Sequence, residues 1–130
     1  MSQRIVVADD EQDIRRLISF TLHRRGYTVL EARDGDTALS IIRQEHPDLV
    51  VLDVMMPGLT GLQVARALAA DAATATIPIV ILSALAQEAE VQMGLESGVQ
   101  AYLVKPFVLR ELVARIADLL NVPSVPKQEP

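Results

Sequence analysis

Five short, nearly continuous apolar runs constrain the fold of this chain more than any other feature. They are rich in β-branched residues and occur at 5–8, 27–30, 49–52, 79–82 and 101–104. Such runs are typical of strands that are buried on both faces, as in a parallel sheet. Longer segments with helical spacing separate them. The alternation predicts an α/β fold in which five helices surround a five-stranded, doubly wound parallel sheet.

The helical segments are marked by their apolar spacing and their end signals. The first has an apolar face and a stop at Gly26; that face consists of Ile14, Leu17, Ile18, Thr21 and Leu22. The second starts after Gly35, and its predicted N-cap is Asp36. The remaining three are predicted at about 62–70, within 87–96 and at 109–120.

Length and composition limit what else the chain can be. Its 130 residues fit one domain, which we place at 1–121, and the proline-rich residues 122–130 are predicted to be a tail or linker. There is no cysteine, which excludes disulfides and Cys-ligated metals, and the net charge of −5 argues against direct nucleic-acid binding. No apolar run approaches the roughly 20 residues of a membrane span, and no signal peptide is visible. We therefore expect a soluble, cytoplasmic domain.

Chemically active side chains follow four of the predicted strands. Asp9, Asp10 and Glu11 follow the first, Asp53 the third, Ser83 the fourth and Lys105-Pro106 the fifth. Ligands of open parallel sheets bind at the carboxyl ends of the strands, so these groups are expected to converge. Clustered carboxylates repel one another unless a cation joins them, and Mg²⁺ is the natural partner because it accepts one or two carboxylates. Mg²⁺, Lys105 and Ser83 could together position a phosphoryl group for attack by a carboxylate.

Each of these residues also has a simpler explanation when taken singly. Asp10 or Glu11 could cap the following helix, Lys105 could be a solvated charge, and Ser83 a turn residue. His23 and His46 are expected to be solvated surface residues rather than metal ligands. The joint position of the acids, the hydroxyl and the lysine at four strand ends is what favours a common site.

The sequence resembles the receiver domains of two-component response regulators over residues 4–120. Four segments carry the resemblance, and their order and spacing are typical of that family: Ile5-Val6-Val7-Ala8-Asp9-Asp10-Glu11, Leu49-Val50-Val51-Leu52-Asp53-Val54-Met55-Met56-Pro57-Gly58, Ile79-Val80-Ile81-Leu82-Ser83-Ala84 and Ala101-Tyr102-Leu103-Val104-Lys105-Pro106-Phe107. The resemblance implies the flavodoxin-like (βα)5 receiver fold.

The resemblance also implies a role for each site residue. Asp53 would accept the phosphoryl group. Asp10 and Asp53 would bind Mg²⁺ through their side chains, Met55 through its carbonyl and Asp9 mainly through water. The remaining roles fall on four residues near the site: Ser83 and Lys105 would contact phosphoryl oxygens, Ala84 would keep the approach open, and Pro106 would follow a cis peptide bond.

The implied function is a signalling switch that catalyses only its own phosphorylation and dephosphorylation. A histidine kinase or histidine phosphotransfer protein would donate the phosphoryl group. Ser83 and Tyr102 would then move, reshaping the surface of the fourth helix, fifth strand and fifth helix for a downstream target or an output domain. Tyr102 could equally be a plain core aromatic.

Two departures from the family pattern concern dimerisation and lifetime. The acidic pair that precedes the strand-five aromatic in many members is replaced by Gln100 and Ala101. Glu111 and Arg115 are present, but Val91 replaces a basic residue, so we expect a monomer or a weak phosphorylation-dependent dimer. Apolar Met55 and Leu85 flank the phosphorylation site and predict no particular lifetime of the phosphoryl group.

Three other functions are compatible with an α/β chain of this kind to different degrees. A haloacid-dehalogenase-like phosphatase needs a second Asp two positions after Asp53, where this chain has Met55. A flavodoxin-type FMN module needs phosphate-binding donors in the first loop, where Asp9, Asp10 and Glu11 would repel the phosphate. The remaining alternative is a phosphorylation-independent interaction module on the receiver fold, although such proteins usually lack one of the key side chains present here.

Overall fold

A computed structural model describes residues 2–84 and 99–121 of the chain. In these residues five strands form one parallel sheet in the order β2-β1-β3-β4-β5. The strands are β1 (Arg4–Ala8), β2 (Thr28–Ala32), β3 (Leu49–Asp53), β4 (Ile79–Ser83) and β5 (Ala101–Val104). This order is that of the flavodoxin-like doubly wound sheets, so the predicted fold class is confirmed.

Four helices cover the two faces of the sheet in the described residues. They are α1 (Gln12–Arg24), α2 (Gly35–Glu45), α3 (Gly61–Ala70) and a C-terminal helix (Leu109–Asn121). The predicted helix within 87–96, with Leu85 and Val91, lies outside the described residues, and so does the tail 122–130.

The core has two halves because successive side chains of each strand point to opposite faces. Val6, Val50 and Leu52 belong to a cluster with residues of α2 and α3, such as Ile42 and Leu68. The opposite cluster joins strand residues to α1 and the C-terminal helix; it includes Ile5, Val7, Val51, Ile18, Leu22, Leu112 and Ile116. Residues of β1, β3 and β4 on both faces are buried, which explains their continuous apolar runs.

Two predictions about local structure were wrong. The N-cap of α2 is Asp34, whose carboxylate accepts a hydrogen bond from the Thr37 amide at 2.7 Å, and Asp36 instead lies in the first turn. That hydrogen bond, made to the charged form, lowers the pKa of Asp34. Strand β2 runs from Thr28 to Ala32, rather than 27–30, because parallel pairing with β1 extends to Ala32. The other four strands and the helices predicted at about 62–70 and 109–120 agree with the structure to within a residue at each end.

One face of α1 also differs from the predicted pattern. Ile18 and Leu22 are buried, but Leu17 is 53% exposed, and Phe20 beside it is 59% exposed. The buried face of the helix includes Ser19 and excludes Leu17. Two large apolar side chains on α1 are therefore left in contact with solvent. His23 and His46 are exposed, as expected for solvated surface residues.

The start of α3 packs unusually close to the end of β3. Thr60 caps the helix in a reciprocal capping box with Gln63, and the Gly61 amide donates to the Val54 carbonyl at 3.0 Å. A Cβ atom added to Gly61 would lie 2.3 Å from the Asp53 carbonyl oxygen. Only glycine allows this approach, which fixes the backbone next to Asp53.

Candidate functional site

The carboxyl ends of β1, β3 and β5 bring three acids and one lysine into a single pocket. Ligand oxygens of Asp9, Asp10 and Asp53 all lie within 4.8 Å of one another. Asp9 and Asp53 are buried, whereas Asp10 faces solvent. The predicted convergence of these side chains on one edge of the sheet is confirmed.

The Lys105 ammonium links the acids across the pocket. Its Nζ atom lies 3.0 Å from Asp9 Oδ2, 3.1 Å from Glu11 Oε1 and 3.4 Å from Asp53 Oδ2. Lys105 follows β5, and its amide donates to the Ser83 carbonyl at 2.7 Å, so the sheet itself holds its backbone in place. The ammonium compensates part of the negative charge that the ends of β1 and β3 bring together.

Asp53 has an unusual proton affinity for a carboxyl group. Burial and the nearby charge of Asp9 raise its pKa from 3.8 to about 7, although Lys105 and the Met55 amide act in the opposite direction. Burial alone would lower the pKa of Lys105, but its hydrogen bonds to Asp9 and Glu11 and the charge of Asp53 raise it instead. The pocket therefore holds more negative charge than its own lysine neutralises.

The donor set fits a hard divalent cation. Three carboxylates with one open, solvent-facing side match the preference of Mg²⁺ for oxygen ligands and retained waters. A raised pKa at a buried carboxyl group indicates that additional positive charge would be favourable there. No His or Cys stands among these ligands, which disfavours softer metals.

The other predicted residues surround this pocket. Ser83 ends β4 and is fully buried, and Ala84 next to it is exposed. Met55 follows β3, and its side chain points to solvent with 59% exposure. Tyr102 is half-buried against the core cluster of α2 and α3. The Lys105–Pro106 peptide bond is cis, as the resemblance predicted.

Three residues with a part in the pocket were not assigned one from the sequence. Glu11 contacts Lys105 through its side chain, and its amide donates to Asp9 Oδ1 at 2.9 Å. Arg15 donates to the Asp9 carbonyl at 2.9 Å while pairing with Glu31 on β2. Gly61 packs on the Asp53 backbone. The helical spacing of Arg15 predicts only a polar face, and nothing in the sequence signals that it reaches the β1 backbone.

A groove opens beside the lysine on the α1 side of the pocket. Its volume is about 460 Å³, and its walls include Leu17, Ala84, Lys105, Pro106 and Phe107. Most of this wall is apolar, in contrast to the acidic pocket itself.

The five-stranded parallel sheet and the acidic, lysine-bridged pocket at its carboxyl edge place the chain among the small flavodoxin-like α/β domains. The family model for the response regulator receiver domain matches residues 5–117. The chain therefore belongs to the response-regulator receiver domains, which are signalling switches of two-component systems.

Curated relatives and solved structures agree with this assignment. The chain is 43% identical over 121 residues to the phosphate regulon transcriptional regulatory protein PhoB of Klebsiella pneumoniae, covering 93% of this chain and 53% of that protein. It is 48% identical over 119 residues to the probable transcriptional regulator ycf27 of Cyanophora paradoxa, covering 92% and 48%. The chain thus spans about half the length of the curated relatives it matches.

The structural matches cover most of both chains. The Francisella response regulator 1452 receiver domain superposes with a TM-score of 0.86 at 34% identity, covering 92% of this chain and 97% of that one. The chemotaxis response regulator CheY4 of Vibrio cholerae gives 0.85 at 29% identity, covering 92% and 99%. Within residues 2–84 and 99–121, no helix has the length and apolar character needed to cross a membrane.

Proposed function

We propose that this chain is a phosphoacceptor receiver, in which residues 1–121 form the switch domain and Asp53 takes the phosphoryl group. The observation that carries the proposal is the position of Asp53, buried at the end of β3 with Lys105 at 3.4 Å and Asp9 and Asp10 around it. A structural acid at a strand end would not need a lysine from a distant strand and two further carboxylates.

The proposed reaction is a direct displacement at phosphorus. An Asp53 carboxylate oxygen forms a bond to phosphorus, and the bond from phosphorus to the histidine nitrogen of the donor breaks. The nitrogen leaves with the electron pair, so neutral imidazole is released from a protonated phosphohistidine. The product is an aspartyl phosphate.

The residues around Asp53 would stabilise the transferred group. Lys105 would pair with one phosphoryl oxygen and the Ser83 hydroxyl would donate to another, which lowers the barrier mainly by positioning and charge neutralisation. Asp10, Asp53 and the Met55 carbonyl would hold Mg²⁺ directly, and Asp9 mainly through water. When bound, Mg²⁺ would supply the positive charge that lets an anionic donor approach an acidic pocket. The exposed Ala84 would leave room for that approach.

The proposed donor is a histidine kinase or a histidine phosphotransfer protein. Leu17 lines the groove next to Lys105, and Phe20 lies one turn further along α1; both are more than half exposed. Exposed apolar side chains beside a reactive site support docking of a protein.

The proposed output is a change of surface. On phosphorylation the Ser83 hydroxyl would move toward the new charge, and Tyr102 would fill the space it leaves. A downstream target, a weak dimer partner or an output domain would recognise the altered surface around β5 and the C-terminal helix. The relatives named as transcriptional regulators are about twice as long, which supports an attached output domain. We propose that the acidic switch domain itself does not contact nucleic acid.

Phosphoryl uptake can be measured directly by intact mass. The protein is incubated with acetyl phosphate and Mg²⁺, next to Asp53→Asn and a Mg²⁺-free sample. The proposal expects a gain of one phosphoryl group that requires both Asp53 and Mg²⁺. A folded protein that gains none at saturating Mg²⁺ would instead be a phosphorylation-independent interaction module.

A further inference from the structure

The first residue after the acidic pair, Glu11, stands at the N-cap of α1 but does not cap it. Its backbone is extended, with φ −82° and ψ 107°, and its side chain makes no capping hydrogen bond. The caps of α2 and α3, Asp34 and Thr60, both bond to helix amides. Helix capping therefore does not explain the carboxylate of Glu11.

The Glu11 carboxylate forms an ion pair with Lys105 instead. Its Oε1 atom lies 3.1 Å from Lys105 Nζ, nearer than the 3.4 Å that separates Nζ from Asp53. The Glu11 amide also binds Asp9 Oδ1, while Asp9 Oδ2 binds the same ammonium. Glu11 thus acts on both ends of the Asp9–Lys105 pair, through its backbone and its side chain.

Resting on the proposed function, we infer that Glu11 is a positioning residue that holds Lys105 in the unphosphorylated state and competes with the phosphoryl group for its ammonium. A phosphoryl group brings roughly two negative charges, and Lys105 must donate a hydrogen bond to it. Lys105 therefore has to lose its contact with either Asp9 or Glu11. Asp9 is fully buried and would lose its ion pair without gaining water, whereas the Glu11 side chain is 58% exposed and can be rehydrated.

The expected size of the effect follows from this exposure. A solvent-exposed ion pair shifts an equilibrium by about two- to fivefold, so Glu11 would tune the phosphorylation rate by a factor of this size. Removing the Glu11 charge should leave the fold intact, because the side chain supports neither the helix cap nor the core.

The small number of lysines makes it possible to measure how strongly the contacts of Lys105 protect its amine from acylation. It contains only two lysines, Lys105 and Lys127, so an amine-acylating reagent modifies two side chains that peptide mass distinguishes. The ratio of Lys105 to Lys127 labelling, measured without Mg²⁺ and without a phosphodonor, reports how firmly the Lys105 ammonium is held. Lys127 corrects for reagent and protein concentration in every sample.

Glu11→Gln is compared with Asp13→Asn, which removes an identical charge from the exposed first turn of the same helix. We expect Glu11→Gln to raise the Lys105 labelling ratio and the initial rate of phosphoryl uptake from acetyl phosphate, each by about two- to fivefold over Asp13→Asn. Equal labelling in the two variants would overturn the hold on Lys105. Raised labelling with an unchanged or slower uptake would overturn the competition. If the unmodified protein takes up no phosphoryl group, the proposed function fails, and the labelling ratio still decides whether Glu11 holds Lys105.

Discussion

Lys105 Nζ lies 3.0 Å from Asp9 Oδ2, although 96 positions separate the two residues in the sequence. Asp9 is fully buried, and its carboxylate forms an ion pair with Lys105. The pair connects the segment after β1 to the segment after β5 at the carboxyl edge of the sheet. Lys105 Nζ also lies 3.4 Å from Asp53 Oδ2. The charges of Asp9 and Lys105 therefore affect the pKa of Asp53, and through it the pH dependence of the protein's stability.

Replacing Asp53 by Asn should stabilise the protein at neutral pH. The folded state raises the pKa of Asp53 from 3.8 to about 7, so the unfolded chain binds fewer protons between these values. The contribution of Asp53 to the free energy of unfolding is therefore fully present below about pH 4, and it is lost as the pH rises through about 7. Urea unfolding should show Asp53→Asn more stable by on the order of 3 kcal/mol at pH 8, and little different at pH 4. A pH-independent difference would contradict the assigned cause.

Replacing Lys105 by Met should destabilise the protein, and more at pH 8 than at pH 5. Loss of the ammonium leaves the buried Asp9 and Asp53 facing each other without a counter-charge, at a cost on the order of 2 kcal/mol. At pH 5 a carboxyl group can bind a proton, which relieves the repulsion. The control is Arg66→Met on the exposed face of α3, which should show no such pH dependence. A larger loss at pH 5 would reverse the sign and exclude this explanation.

Mg²⁺ should raise the melting temperature of the protein through the acidic pocket. A ligand that binds only the folded state stabilises it by about 2.7 kcal/mol at one hundred times its Kd. Asp10→Asn removes one of the three clustered carboxylates and should greatly reduce this response. Asp13→Asn, with the same loss of charge outside the pocket, should keep it. An equal response in both variants would place the ion elsewhere.

Replacing Gly61 by Ala should impair phosphoryl uptake together with stability. The added Cβ would lie 2.3 Å from the Asp53 carbonyl oxygen, so either α3 or the end of β3 must move. We expect a destabilisation of about 2 kcal/mol or more and slower phosphorylation. Gly26→Ala is the matched control, because its strain comes from φ +95° alone: apart from its chain neighbours, no described residue has a heavy atom within 4 Å of the added carbon. It should cost about 1 kcal/mol and leave the uptake rate unchanged.

Much of the fold could be predicted from the sequence because its signals are local. Strands β1, β3 and β4 are buried on both faces, and this burial produces apolar runs that have one simple interpretation. The edge strand β2 was misplaced by up to two residues because Glu31 is exposed there and interrupts the pattern. Asp34 and Asp36 both suit an N-cap, and only the backbone direction entering α2 selects Asp34.

The sequence by itself determined the fold class, the acids at the strand ends and the lysine after the last strand, because strand periodicity and the carboxyl-edge rule act through residue type and spacing. Tertiary structure alone decided how these groups contact one another. Burial of Asp53 raises its pKa, Glu11 turns from the helix to Lys105, and Arg15 reaches the Asp9 carbonyl. Each of these depends on distances between residues on different strands and helices, and such distances exist only after the sheet has brought those elements together.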